Sequence, residues 1–217
     1  ENPDIHVEIM YESWPGWIQT YPTYFEADTQ PDVIFWWDNK LHDSSANSHL
    51  VNLAPYLSDE LTKKIPEGVW NLVDPGDMDG LYYIPSSVDT FVLYYNKDVF
   101  KEAGLDPDAP PTNWDELKDV CQKIKDFYNG DVYPWGMDMT TDEGQACFAY
   151  YTWNNGGGFV DDEGNWTLNS AENVEAIEYA LDLYKSGYTN SDPANQNRYN
   201  LQDMFGAGKM AMVIGPN

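Results

Sequence analysis

The sequence predicts an α/β fold built on a doubly wound, open sheet, and two features of its first 40 residues support this. Residues 5–9 alternate apolar and polar side chains, as a half-buried strand does, and the apolar run 33–37 indicates a strand buried on both faces. Residues 17–27, between them, are predicted to be helical despite an internal proline. A strand, a helix and a strand in this order favour a sheet with helices on its faces.

The elements that follow also alternate between helix and strand. Residues 50–73 are predicted to form short helices, and the apolar segments 81–84 and 91–95 are predicted strands. Pro85 and two serines interrupt what would otherwise be one strand. We therefore predict two lobes. Lobe one comprises residues 1–87 and lobe two residues 88–217.

Lobe two is predicted to contain most of the helices. Helices are expected over 98–103, 113–128, 145–153 and 170–186, with a turn at 161–165. We predict capping boxes at Thr112 with Asp115 and at Asn169 with Glu172. The predicted buried faces are Trp114, Leu117, Cys121, Ile124 and Tyr128 in one helix, and Val174, Ile177, Leu181 and Tyr184 in another. Strands are expected at 133–137 and 210–214, and strand 91–95 should share a sheet with strand 210–214.

The charge of the chain limits its partners. The sequence has 217 residues, of which 37 are acidic and 11 basic, for a formal net charge of −26. Nucleic acid and anionic membranes are disfavoured, because both require a basic surface. A cationic ligand such as a polyamine is compatible with this charge.

The sequence contains no recognisable cofactor or metal motif. The three histidines lack zinc spacing, and no glycine-rich phosphate loop or nucleophile motif is present. We therefore predict no cofactor and no metal. Cys121 lies on the apolar face of a predicted helix, which favours a buried free thiol over a bridge to Cys147.

A candidate ligand site follows the predicted strand 33–37. Trp36, Trp37, Asp38 and Asn39 would lie at its carboxyl end, which is where open α/β sheets bind ligands. An indole can stack on the apolar face of a sugar, and carboxylate and amide groups can bind its hydroxyls. We assign Trp36 to the ligand site and not to the core, whereas Trp37 is equally compatible with the core and with the site. Asp89 caps no obvious helix, so it is either a turn residue or a ligand contact between the lobes.

Several segments in order resemble the extracellular solute-binding proteins of family 1, the maltose-binding-protein-like, sugar-binding subunits of ABC importers. The segments are "ENPDIHVEI", "PDVIFWWDN", "LYYIPSSVDTFVLYYNKDVFKEAGLDPDAPPTNWDEL", "WNNGGGFVDDEGN" and "FGAGKMAMVIGPN". The resemblance implies a periplasmic-binding-protein-like fold whose two lobes close on the ligand about a hinge. It further implies an oligosaccharide ligand, ABC permease subunits as partners and no catalysis. The location would be extracellular, either periplasmic or as a cell-surface lipoprotein held by a lipid anchor.

The resemblance also assigns site residues. Trp36 matches the family's stacking tryptophan, Asp89 a hinge acid, and the loop from Asp138 to Gln145 a ligand-contacting loop. Asn217 stands where a second stacking tryptophan occurs. Family members have further segments before "ENPDI" and after "IGPN", so we expect a fragment that lacks strands of its first lobe, binds weakly and self-associates.

Two alternatives to sugar transport stay open. A glycoside hydrolase also uses aromatic and carboxylate side chains, but retaining chemistry needs two carboxylates about 5 Å apart. No such pair is evident in the sequence. A polyamine-binding protein of the same fold is the second alternative.

Overall fold

The computed structural model describes residues 2–11, 20, 23–35, 50–73 and 80–216. Contacts between Cα atoms divide the chain into two compact units, Glu1–Val88 and Asp89–Asn217. This division falls next to the boundary predicted between the lobes. That the two units are the lobes of a closing fold stays a prediction.

The described part of unit one lacks the strands that the sequence predicted. Residues 5–9, 33–35 and 81–84 are irregular, and Ile9 and Val33 are largely exposed. These strand predictions are wrong for the described residues. An apolar or alternating pattern forms a strand only where a neighbouring strand completes the backbone ladder, and no described residue of this unit does so.

The described helices of unit one are short, as predicted for residues 50–73. Ala54–Tyr56 forms one 3₁₀ turn, followed by α1 (Asp59–Lys64) and α2 (Glu67–Val73). The hydroxyl of Ser58 accepts a hydrogen bond from the backbone N–H of the third residue of α1, which caps that helix. Within the predicted helix 17–27, residues 20 and 23–26 are helical among those described.

Unit two is organised around a mixed sheet. Its described strands are β1 (Phe91–Tyr95), β2 (Tyr133–Trp135) and β3 (Met210–Pro216), in the order β1-β3-β2. The central strand β3 runs antiparallel to β1 and parallel to β2. The predicted pairing of 91–95 with 210–214 is confirmed, with Leu93 opposite Ile214.

Five described helices surround this sheet. They are α3 (Lys97–Glu102), α4 (Trp114–Tyr128), α5 (Gly144–Asn154), α6 (Ala171–Lys185) and α7 (Arg198–Gly206). Helices α3–α6 and the sheet share the main apolar core, to which Phe100, Ile124, Leu183 and Met212 contribute fully buried side chains. Leu201 of α7 packs in a second, smaller cluster with Met210 and Val213 of β3. The α/β prediction is confirmed, and the buried face predicted for α4 is the observed one.

The helix caps lie one residue later than the sequence predicted. Asn113, not Thr112, accepts the bond from the N–H of Glu116, while Thr112 donates to the carboxylate of Glu116 at 2.8 Å. Likewise Ser170, not Asn169, caps α6. In both segments two adjacent residues are good caps, and sequence alone does not choose between them.

Helix α6 is rotated relative to the prediction. The predicted face is exposed or half-buried, with Val174, Leu181 and Tyr184 close to half exposed. The buried face instead consists of Asn173, Ala176, Ala180 and Leu183. This face is buried although it is less apolar than the predicted one. Its two alanines let α6 approach the neighbouring helix α5 closely, and hydrogen bonds satisfy the side chain of Asn173.

Both cysteines are buried free thiols, which confirms the prediction for Cys121. Burial raises the pKa of Cys147 to about 12 and also raises the pKa of Cys121. A raised pKa leaves almost no thiolate, the reactive form, at mildly alkaline pH.

We expect neither thiol of the native chain to react with a disulfide reagent at mildly alkaline pH, and both to react in concentrated guanidinium chloride. A thiol that reacts rapidly in the native chain would contradict this burial.

Candidate functional site

A cluster of polar side chains lies where the parallel strands β2 and β3 end. Carboxyl ends of parallel strands meet at one edge of a sheet, and open α/β sheets bind ligands outside that edge. A cavity of about 20 Å³ opens there, with room for roughly one water molecule. A sugar could therefore contact only its rim. The lining includes Trp135, Asp138, Glu143, Tyr150, Arg198 and Ile214.

Asp138 is buried at this edge, and the protein itself satisfies its carboxylate. Oδ1 accepts from the backbone N–H of Thr140 at 2.9 Å and from its hydroxyl at 2.7 Å. Oδ2 accepts from the backbone N–H of Arg198, the first residue of α7, at 2.7 Å. A negative charge at a helix N-terminus is favourable. Asp138 therefore ties the loop after β2 to the start of α7.

Glu143 and Arg198 form a partly buried ion pair. Arg198 Nε donates to both carboxylate oxygens of Glu143 at 2.8 Å, and Arg198 Nη2 lies 2.8 Å from Oε1. Only 16% of the arginine side chain and 19% of the glutamate side chain are exposed. The hydrogen bond to Glu143 raises the pKa of Arg198. The guanidinium carbon also lies 4.6 Å from the centre of the Tyr199 ring, which adds a cation–π contact.

Tyr150 supplies a hydroxyl beside this pair. Cys147 and Tyr150 lie three residues apart on one face of α5, and Glu143 is the residue that precedes this helix; all three side chains line the cavity. The Tyr150 ring packs against Phe91 of β1 with ring centres 5.4 Å apart. Burial, followed by the nearby carboxylate of Glu143, raises the pKa of Tyr150, which keeps it neutral. Within the described chain its hydroxyl has no hydrogen-bond partner, so it can bond to a ligand.

The sequence-predicted site residues are only partly described. Asp138 lies in the cluster. Gln145 is exposed on a different face of α5 and does not line the cavity, and Asp89 is exposed just before β1. The remaining predicted residues, Trp36, Trp37, Asp38, Asn39 and Asn217, lie outside the described residues. The ligand-contact roles of all eight stay predictions.

Sequence reasoning missed Tyr150 and Arg198, and it included Glu143 only as one position of the predicted ligand-contacting loop from Asp138 to Gln145. Arg198 is the only arginine in the chain, since the other ten basic residues are lysines. A single arginine is a usable signal, because its planar fork is suited to paired hydrogen bonds. Its partner could not have been predicted, because the pair joins residues 55 positions apart.

The described ranges contain neither a cluster of metal-ligating side chains nor a membrane-spanning helix. No group of three or more His, Cys, Asp or Glu residues there could hold a metal ion. Likewise, no helix in these ranges combines the length and the apolar character needed to cross a bilayer.

Known proteins resemble this chain over most or all of its length. The family model of the bacterial extracellular solute-binding proteins matches residues 1–217. A binding protein of Brucella abortus is 28% identical over 215 residues, which are 99% of this chain and 51% of the relative. This chain therefore spans about half the length of that relative.

Two solved structures share the fold. A solute-binding protein from Thermotoga lettingae, bound with α-D-tagatose, has a TM-score of 0.80 at 26% identity over 92% of this chain and 51% of that one. Maltose-bound MalE3 of T. maritima has a TM-score of 0.79 at 27% identity. The match covers 99% of this chain and 54% of MalE3. The predicted periplasmic-binding-protein-like fold and the resemblance are both confirmed. The chain belongs to the family of bacterial extracellular solute-binding proteins.

Proposed function

We propose that this chain binds an oligosaccharide outside the cell and delivers it to the permease of an ABC transporter. One observation carries the proposal: two structures of the same fold, each more than a quarter identical in sequence, hold the sugars tagatose and maltose. Delivery to a permease, and a periplasmic or lipid-anchored location, are proposed from the family.

The polar cluster of unit two supports a sugar ligand. Tyr150 offers a neutral hydroxyl that can donate and accept, and such groups suit the hydroxyls of a sugar. Arg198 Nη1 makes no bond to a described residue, so its two N–H groups can donate to a ligand oxygen. We propose that these groups contact the ligand, whereas Asp138 holds them in place.

Binding without catalysis is part of the proposal. A glycosidase needs one carboxyl group free to protonate the leaving oxygen and a second free to act as nucleophile or base. At the described cavity, Asp138 accepts three hydrogen bonds from the protein, and Glu143 is engaged by Arg198. Neither carboxylate is therefore free for that chemistry.

Isothermal titration calorimetry of the 217-residue chain tests the proposal. We expect heat of binding with at least one neutral oligosaccharide from a panel of α- and β-linked glucans, arabinans and galactans, and none with spermidine. Incubation with each sugar should release no reducing ends. Binding of spermidine alone would overturn the proposal in favour of a cationic ligand, and turnover would overturn it in favour of a hydrolase.

Trp36 is proposed as the stacking residue, with Asp38, Asn39 and Asp89 binding hydroxyls. Replacing Trp36 with alanine removes an aromatic contact of about 1 kcal/mol, so we expect the Kd for the sugar to rise roughly fivefold or more. The matched control is Trp166→Ala, since Trp166 is 75% exposed in unit two, where it forms an isolated antiparallel bridge with Val160, and does not line the cavity. Equal Kd values for Trp36→Ala and the unmodified chain would refute the stacking role.

A further inference from the structure

The charged groups at the cavity all have hydrogen-bond partners within the protein. The cavity is lined by two carboxylates, Asp138 and Glu143, and by one cation, Arg198. Asp138 receives its hydrogen bonds from Thr140 and from the N-terminus of α7. Glu143 and Arg198 satisfy each other. The positive charge of Arg198 is therefore neutralised by Glu143, whereas the carboxylate of Asp138 is hydrogen-bonded but has no cationic partner.

The pairing of the Arg198 guanidinium with Glu143 matters most, because arginine is the residue that usually binds phosphate and carboxylate. Its planar guanidinium matches such anions with two parallel hydrogen bonds. Here Glu143 already receives the Nε and Nη2 donors that such a pair of bonds would use. A phosphorylated or acidic sugar would have to displace a carboxylate that the protein keeps in place. It would also meet the repulsion of Glu143 and Asp138.

We propose that Glu143 determines the charge selectivity of this site. By neutralising the single arginine of the chain, it makes the site accept uncharged ligands and reject anionic ones. The two Nη1 N–H groups and the Tyr150 hydroxyl stay available, and they can bond to sugar hydroxyls without net charge. This inference rests on the proposed function for the location of the site, but its effect on anions can be measured separately.

The test compares the unmodified chain with Glu143→Gln, using inorganic phosphate and D-glucuronate as probes at low ionic strength. The substituted amide would keep the shape of the side chain but leave the guanidinium uncompensated. A hydrogen bond to a charged group is worth enough to expect at least a tenfold gain, roughly, in affinity for both anions. Affinity for a neutral sugar should change much less.

Two controls distinguish the effect of the Glu143–Arg198 ion pair from the effect of the net charge of the chain. Glu178→Gln makes the same substitution at an exposed position in the middle of α6, and should produce no gain. The double variant Glu143→Gln, Arg198→Gln should lose the gain. If Glu143→Gln does not melt cooperatively, Glu143→Ala replaces it, since it also removes the carboxylate and should give a gain in the same direction.

The outcomes are distinct. Unchanged anion affinity in a folded Glu143 variant overturns the inference, and so does an equal gain in Glu178→Gln. An unmodified chain that already binds phosphate as tightly as Glu143→Gln also overturns it. If no neutral sugar binds any variant, the proposed function fails. A gain in anion binding that requires Arg198 would still support the role of Glu143.

Discussion

Replacing Asn173 with aspartate is expected to lower the free energy of unfolding of the chain by about 3–5 kcal/mol, the cost of a buried charge left without a partner. Asn173 is 1% exposed. Its Nδ2 donates to the carbonyls of Gly158 at 2.7 Å and Thr167 at 2.9 Å, and its Oδ1 accepts from the N–H of Gly158 at 3.1 Å. Aspartate has the same shape but would turn an oxygen towards two carbonyl oxygens.

The matched control is Asn169→Asp. Asn169 is exposed four residues earlier and undergoes the same change of charge. Urea denaturation of both variants, followed by circular dichroism, measures the difference. Similar midpoints for the two variants would show that the bonds of Asn173 contribute little.

Replacing Phe100 with alanine is expected to destabilise the chain by about 3–5 kcal/mol, the usual cost of truncating a buried phenylalanine. Phe100 is fully buried near the end of α3, where its ring lies 5.1 Å from the ring of Tyr95 in β1. The cavity left by the missing ring would remove packing contacts between α3 and the sheet that it covers.

Phe127→Ala provides the comparison for this second substitution, since Phe127 is 55% exposed on α4. We expect its thermal midpoint to stay close to that of the unmodified chain, while that of Phe100→Ala falls by many degrees. If the two variants melt together, the core described for unit two does not carry the stability of the chain.

The sequence predicted most of unit two because local signals agree there with the final packing. The spacing of Leu117, Cys121 and Ile124 identified both α4 and its buried face. Helix α6 was predicted, but its orientation was not, because burial of Asn173 depends on the carbonyl groups of Gly158 and Thr167 in the irregular segment before the helix. In unit one, residues 5–9 and 33–35 carry strand patterns without a described partner, and pattern alone does not supply one.

The candidate site was harder to predict than the fold. Asp138 came from a family resemblance, which gives a position but not the three hydrogen bonds that occupy its carboxylate. Glu143 and Arg198 carry no local motif. Their pairing exists only because α5 and α7 begin at the same edge of the sheet, which is a property of the tertiary structure.

The pairing of β1 with β3 affects how unit two can fold during synthesis. Tyr94 and Pro216, whose hydroxyl and carbonyl are bonded at 2.9 Å, are 122 residues apart in sequence. As the nascent chain emerges from the ribosome, β1 appears before β3 and has no antiparallel partner in this sheet until β3 is made. Such non-local contacts impose a high contact order, which slows folding. The apolar strand β1 therefore stays unpaired until β3 has been synthesised, in the state most open to aggregation or to a chaperone.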